Sequence, residues 1–168
     1  MAFIIRKPLP ADAEALAKVH VSSWQTSYQG IVPNHFLQSL SVEDRQKRFT
    51  EIIANANHFF VLTDNNQIVG FVGGGEQRHP AYANYPGEIY SIYLYQESQG
   101  HGGGRLLFEA MQQSLLEAQL NPMTVVVLSK NVSAIAFYEQ MGGKPVGKDT
   151  INIGGDDFEE IIYGWELH

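Results

Sequence analysis

The chain contains a glycine-rich segment, Gln99-Gly100-His101-Gly102-Gly103-Gly104-Arg105-Leu106-Leu107, from which the fold can be inferred. It follows residues 88–95, whose β-branched and aromatic side chains predict a strand. It precedes apolar residues at helical spacing up to about residue 120. Glycines between a strand and a helix leave backbone N–H groups free at the positive end of the helix, which suits a phosphate or pyrophosphate.

Three known glycine motifs do not account for this loop. The dinucleotide fingerprint needs a glycine three residues after Gly102, where Arg105 stands, and a P-loop needs Gly-Lys followed by Ser or Thr. Residues 101–104 match the oxyanion loop of some esterases, but the chain lacks the Gly-x-Ser-x-Gly elbow that those enzymes also need. We therefore regard the esterase match as a chance one.

The part of the chain before this loop predicts helices and then a hairpin. Residues 3–7 predict a first strand, Leu16, Val19, His20 and Trp24 mark the apolar face of a helix, and a short helix follows at residues 36–40. Ser41 and Asp44 resemble a capping box that opens a third helix to about residue 55. Residues 59–64 and 67–73 predict antiparallel strands, because the Asn65-Asn66 pair between them tolerates positive φ. Residues 77–87 predict a surface loop.

The part after the loop continues with a buried strand. Residues 124–128 are apolar and mostly β-branched, which is typical of a strand at the centre of a sheet and parallel to a neighbour. A short helix over residues 133–141 and two strands, at about residues 144–153 and 158–167, complete the predicted order.

The spacing Gln99-x-x-Gly102-x-Gly104 resembles the signature of the GNAT superfamily of acyl-CoA-dependent N-acetyltransferases. The resemblance is strengthened by the strand and helix on either side of the loop and by Asn131-x-x-Ala134-x-x-Phe137-Tyr138-x-x-x-Gly142 beyond the next strand. Residues 24–40 also look like the entry to this fold, so the resemblance covers nearly the whole chain. The chain departs from the usual pattern at Gln96, Gly103 and Gly143.

The resemblance implies an α/β (α+β) fold with helices flanking a mixed, mostly antiparallel sheet that splays between its fourth and fifth strands. It implies one N-acetyltransferase domain over residues 1–168 and acetyl-CoA as co-substrate. The backbone of Ile92 and Leu94 would pair with the pantetheine arm, and Asn131 would add a side-chain contact. The loop from Gln99 to Arg105 would hold the pyrophosphate, through residues Gln99, Gly100, His101, Gly102, Gly103, Gly104 and Arg105. Arg105 either donates to the phosphates or lies in solvent.

Acetyl transfer to an amine needs a base for the amine and an acid for the departing thiolate. Tyr138 resembles the general acid of the family, and the alternative is a core aromatic beside Phe137. Glu88 begins the strand that leads to the cofactor loop, so we expect it near the acyl group as general base, with Glu76 and His79 as rivals. No histidine spacing matches a metal site, so we predict no metal.

Aromatic side chains are candidates for the wall of an acceptor pocket, because aromatic faces attract cations. The candidates are Trp24, Tyr28, Tyr82, Tyr85 and Tyr90. Trp24 lies on the apolar helical stripe, which favours burial, and Tyr28 just beyond it is the better substrate candidate.

The composition narrows the class of protein. The 168 residues suit one domain, and 44% of them are apolar. A net charge of −7 disfavours nucleic acid and anionic membranes and favours a cationic partner. The absence of cysteine and of a signal-like start fits a cytoplasmic setting.

The acceptor that we predict is a primary amine, either a small amine such as a polyamine or the amine of a peptide or protein. A non-enzymatic acyl-CoA sensor is the alternative, and an esterase ranks third. The sequence leaves open whether the chain forms a homodimer.

Overall fold

A computed structural model describes residues 1–166 of the chain. The strands and helices follow the predicted order. They are β1 (Phe3–Arg6), α1 (Ala13–Ser27), α2 (Asn34–Ser39), α3 (Val42–Asn55), β2 (Phe59–Asp64), β3 (Gln67–Glu76), β4 (Gly87–Leu94), α4 (Gly103–Glu117), β5 (Met123–Leu128), α5 (Val132–Gln140), β6 (Lys144–Ile153) and β7 (Asp156–Trp165). The last strand begins two residues earlier than predicted, and Leu167, which we placed in it, lies outside the described residues.

The strands within residues 1–166 form one seven-stranded sheet in the order β1-β2-β3-β4-β5-β7-β6. Only β4 and β5 pair in parallel, and the other neighbours in this sheet are antiparallel. The predicted mixed, mostly antiparallel sheet is therefore confirmed, as is the interior position of β5.

The parallel pair separates soon after it begins. Pairing runs from Gly87 opposite Met123 to Ile89 opposite Val125 and then ends. On the other side of β4, Gly74 of β3 faces Ile89 while Gly73 faces Ser91, so Tyr90 is an extra residue in a β-bulge. We call the gap between residues 90–94 of β4 and 126–128 of β5 the split.

Local sequence signals explain several of these elements. Asn65 and Asn66 have φ of 50° and 67°, as a two-residue hairpin turn requires. The Ser41 side chain accepts a hydrogen bond from the Asp44 N–H at 3.2 Å, which caps the start of α3. Both features were predicted, because each depends only on residues close together in the chain.

Helices cover both faces of the sheet. Adjacent residues of β3 point to opposite faces: Phe71 packs in a cluster with residues of α1 and α3, and Val72 packs with residues of α4 and α5. The Ser23 hydroxyl donates to the Leu94 carbonyl at 3.1 Å, which holds α1 against the end of β4. The split thus lies between two helical layers.

Candidate functional site

A cavity of about 530 Å³ occupies the split. It is lined by the end of α1, by both separated strands, by the loop before α4 and by α5. Such a cavity at the point where parallel strands part is a common place for a ligand in α/β proteins.

The glycine loop forms one end of this cavity. Gly100 and Gly102 have φ of 80° and 87°, and Gly102 is the N-cap of α4. The N–H groups of the first turn of a helix have no partners within the helix, so they are free to donate to a ligand. Of the predicted loop residues, Gln99, Gly100, Gly102, Gly104 and Arg105 line the cavity.

Two predicted loop residues, His101 and Gly103, do not line the cavity. A Cβ at Gly103 would lie 2.7 Å from Cδ2 of Leu62, so glycine is needed there for packing on the sheet. The Arg105 guanidinium is half-exposed and lies 3.5 Å from the Glu109 carboxylate one turn along α4.

The edge of β4 presents backbone groups to the cavity. The Tyr95 N–H donates to the Val69 carbonyl on the β3 side at 2.9 Å. Because successive residues of a strand direct their N–H and C=O groups to opposite sides, Ile92 and Leu94 direct theirs into the split. The Leu94 carbonyl is already taken by Ser23.

Asn131 caps α5 at the opposite wall. Its Oδ1 accepts a hydrogen bond from the Ala134 N–H at 3.2 Å, and the residue lines the cavity. The carbonyl oxygen is thus used by the helix, which leaves the two N–H donors of the Asn131 NH₂ group for the neighbouring Tyr28 hydroxyl and for a ligand.

Tyr138 lines the cavity from α5 and is only 7% exposed. Its ring contacts Phe137 and Trp165, with centroids 5.4 and 6.0 Å away. Burial, with a smaller contribution from the charge of Tyr28, raises the pKa of the Tyr138 phenol well above its usual value. The phenol is therefore protonated at neutral pH but is a weaker acid than a free tyrosine, so it can protonate the departing sulfur only as the C–S bond breaks.

Glu88 is buried at the start of β4, with 3% exposure, and does not line the cavity. Both of its carboxylate oxygens accept hydrogen bonds from the Arg78 guanidinium, at 3.2 and 2.9 Å. The Arg78 N–H donates to the same carboxylate at 3.1 Å. Of the rival bases, Glu76 is exposed, and His79 pairs with Asp149 of β6 at 3.1 Å.

The predicted acceptor residues divide into two groups. Tyr28, the C-cap of α1, and Tyr90, in the bulge, line the cavity. Trp24 lies behind Tyr28, with ring centroids 4.5 Å apart, and Tyr82 packs against His79; neither lines the cavity. Tyr85 does not line the cavity either. Its ring is buried against Gly164, so closely that a Cβ at Gly164 would lie 2.9 Å from Cε1 of Tyr85.

Several cavity residues were not identified from the sequence, among them Ser23, Ser27 and Tyr93. Ser23 could have been found, because it is a polar residue on the otherwise apolar face of α1. The structure shows that this serine is buried, and buried polar residues are unusual. Burial raises the pKa of Tyr93 strongly, so its hydroxyl is a neutral group of the wall.

The part of the chain that the structure describes has neither a cluster of metal-ligating side chains nor a membrane-spanning helix. Residues 1–166 contain no group of three or more His, Cys, Asp or Glu side chains arranged to hold a metal ion. No helix among them has both the length and the apolar character needed to cross a membrane.

Comparison with known proteins gives consistent matches. Residues 20–143 match the profile of the acetyltransferase (GNAT) family. The chain is 33% identical over 162 residues to the uncharacterized N-acetyltransferase YuaI of Bacillus subtilis, covering 96% of this chain and 91% of that protein.

Solved structures share the fold. The PaiA N-acetyltransferase of Thermoplasma acidophilum, in complex with coenzyme A, superposes with a TM-score of 0.80 at 21% identity, covering 96% of this chain and 98% of that one. YncA of Salmonella typhimurium, with its cofactor acetyl-CoA, gives a TM-score of 0.72 at 17% identity, covering 100% of this chain and 95% of that one.

Proposed function

This chain belongs to the acetyltransferase (GNAT) family, and from that premise we propose that it transfers the acetyl group of acetyl-CoA to a primary amine in the split. One observation carries the proposal. The free N–H groups at the start of α4, the unpaired edge of β4 and the protonated phenol of Tyr138 all face the same cavity. An acyl-CoA ligand needs these three elements in this order, from its pyrophosphate to its thioester.

The cavity has a partner for each part of acetyl-CoA. The pyrophosphate would accept hydrogen bonds from the N–H groups between Gly102 and Arg105, where the helix dipole favours negative charge. The amides of the pantetheine arm would extend β4 as an added strand along Ile92 and Leu94. The Asn131 NH₂ group would donate to the same arm from the other wall.

The chemistry requires two proton movements. The amine nitrogen attacks the thioester carbonyl, the C–S bond breaks, and the departing sulfur takes the proton of the Tyr138 hydroxyl. The nitrogen loses one proton as the amide forms. The role of Glu88 as acceptor of that proton stays a prediction, and it would act through water because Glu88 is buried and does not line the cavity.

The acceptor is a small amine, such as a polyamine, or the amine of a peptide. The net charge of −7 favours the approach of an ammonium group. Tyr28 and Tyr90 would contact it at the cavity, with Trp24 supporting Tyr28 from behind. Tyr82 packs against His79, and its contact with the acceptor stays a prediction.

A panel of amines with acetyl-CoA tests this proposal. The panel contains polyamines, amino acids and short peptides, and free thiol is measured with a thiol reagent. Amine-dependent thiol release, with mass-spectrometric detection of the N-acetyl product, is the expected result. Binding of acetyl-CoA without thiol release from any amine would instead indicate an acyl-CoA sensor.

A further inference from the structure

Arg78 is held rigidly beside the cavity by a carboxylate. Its Nε donates to one oxygen of Glu88 at 3.2 Å and its Nη2 to the other at 2.9 Å, while its backbone N–H donates at 3.1 Å. Glu88 is buried, so solvent competes little for these hydrogen bonds. The guanidinium therefore has one orientation, unlike a free surface arginine.

An aromatic ring fixes Arg78 from a second side. The guanidinium carbon lies 3.9 Å from the centroid of the Tyr90 ring, and the Tyr90 hydroxyl donates to the Glu76 carbonyl. Tyr90 is the bulge residue and lines the cavity. Arg78 itself does not line the cavity, so its guanidinium reaches the acceptor side through the Tyr90 ring on which it stacks.

One edge of the guanidinium is unused. Nη1 of Arg78 has no hydrogen-bond partner among residues 1–166, and the Arg78 side chain is 60% exposed. A planar guanidinium fixed on one edge and one face, with donors left on another edge, is a preorganised receptor for a carboxylate.

The neighbouring charges restrict the ligand further. Glu88 neutralises Arg78, the Asp149 carboxylate pairs with His79, and burial together with Asp149 and Glu88 raises the pKa of Glu160. The region therefore has little net positive charge to attract a simple anion. A zwitterion suits it better, because its ammonium group is attracted by the acidic protein while its carboxylate meets the Arg78 donors.

We propose that the acceptor is an amine that also carries a carboxylate, as an amino acid does, and that Arg78 binds this carboxylate. Glu88 then acts as a positioning residue for Arg78. The inference rests on the proposed acetyl transfer and narrows its acceptor from primary amines in general to amino-acid-like ones.

The test compares amino acids with their own carboxamides, which differ only in the carboxylate. We expect kcat/KM of the wild type to favour the preferred amino acid over its carboxamide by about 10- to 100-fold, the range for hydrogen bonds to a charged group. In Arg78→Lys the cation that Glu88 needs is kept but the planar second edge is lost, so this preference should fall to within about threefold. Arg48→Lys makes the same change on the exposed surface of α3 and should keep the full preference.

A second variant covers the case that Arg78→Lys does not fold. Arg78→Gln combined with Glu88→Gln removes both charges together, so it leaves no unpaired buried carboxylate, and it should lose the preference as well. Equal turnover of acid and carboxamide by the wild type, better turnover of spermidine, or retention of the preference in a folded Arg78 variant would overturn the inference. Absence of thiol release with every amine would instead overturn the proposed function.

Discussion

At the scale of single residues, Tyr138 is the one on which the proposed chemistry depends most directly. Tyr138→Phe removes the hydroxyl but keeps the ring against Phe137 and Trp165. We expect kcat to fall by roughly 10²- to 10⁴-fold, the effect of losing a general acid, while acetyl-CoA still raises the melting temperature. Steady-state kinetics and thermal unfolding measure the two effects.

Tyr163→Phe is the matched control. Tyr163 is also a buried tyrosine, but its hydroxyl donates to Glu139 at 3.2 Å and it does not line the cavity. Turnover in this variant should stay near that of the wild type. A Tyr138→Phe enzyme that works as well as Tyr163→Phe would make Tyr138 a core residue only.

Glu88→Gln separates two roles of one carboxylate through pH. A primary alkylamine with pKa near 10.4 is neutral in only about one molecule in 2,500 at pH 7, so loss of a base should lower kcat most at low pH and least at high pH. Loss of a positioning residue should instead raise KM for carboxylated acceptors at every pH. A variant that follows the wild type in both constants has neither role, and Glu76 and His79 are the next residues to change.

His20 predicts a pH dependence of stability. Its ring lies among aromatic rings, 5.3 Å from that of Tyr93, and its Nδ1 has no partner among the described residues. Burial, helped by the positive charge of Arg45, lowers the pKa of His20 from 6.5 to about 4. Between these values the unfolded chain binds a proton that the folded chain does not, so the free energy of unfolding declines as pH falls from 6.5 to 4.

The His20 contribution is of the order of 3 kcal/mol across this window. In His20→Phe the total decline of the unfolding free energy between pH 6.5 and pH 4 should be smaller by that amount, as measured by urea unfolding at several pH values. Identical slopes in the two proteins would show that His20 titrates normally in the fold.

At the scale of elements, the loop before α4 is predicted to bind the pyrophosphate. Gly102→Asp adds a carboxylate where the free N–H groups converge, so acetyl-CoA should no longer raise the melting temperature. Gly155→Asp is the control, because Gly155 also has a positive φ, 97° against 87°, and no atom within 4 Å of an added Cβ. Gly155 lies in the β6–β7 turn, so acetyl-CoA should stabilise the Gly155→Asp variant as much as it stabilises the wild type. Equal binding by both variants would place the cofactor elsewhere.

At the scale of the whole molecule, acetyl-CoA should stabilise the fold by mass action. A ligand at 100 times its dissociation constant contributes about 2.7 kcal/mol, which for a chain of this size raises the melting temperature by about 5–10 °C. The split is the reason, since the ligand would join β4, α4 and α5 across a gap that the sheet leaves unpaired. A melting temperature unmoved by saturating acetyl-CoA would contradict the proposed binding site.

The order of elements was predictable because its signals are local. The Asn65-Asn66 turn, the Ser41 cap and the run of residues 124–128 each depend on a few neighbouring residues, and each has the predicted structure. The glycine loop and Tyr138 belong to two successive strand–loop–helix units and were identified from the resemblance of their motifs to the GNAT family; most of the loop residues and Tyr138 line the cavity.

Other features could not be predicted from the sequence, because they depend on contacts between residues far apart in the chain or on different strands. The bulge at Tyr90 exists through its pairing with β3, and Gly143 is accommodated because the Trp165 indole fills the space that a side chain would need. We predicted the location of Glu88 from its position at the start of one strand. That prediction did not include Arg78, ten residues earlier, whose guanidinium binds the Glu88 carboxylate in the folded chain. Turns and helix caps depend on steric contacts and hydrogen bonds between residues close together in the chain, so the sequence predicts them. The partner of a buried charge depends on which segments the folded sheet brings together, so the sequence alone does not predict it.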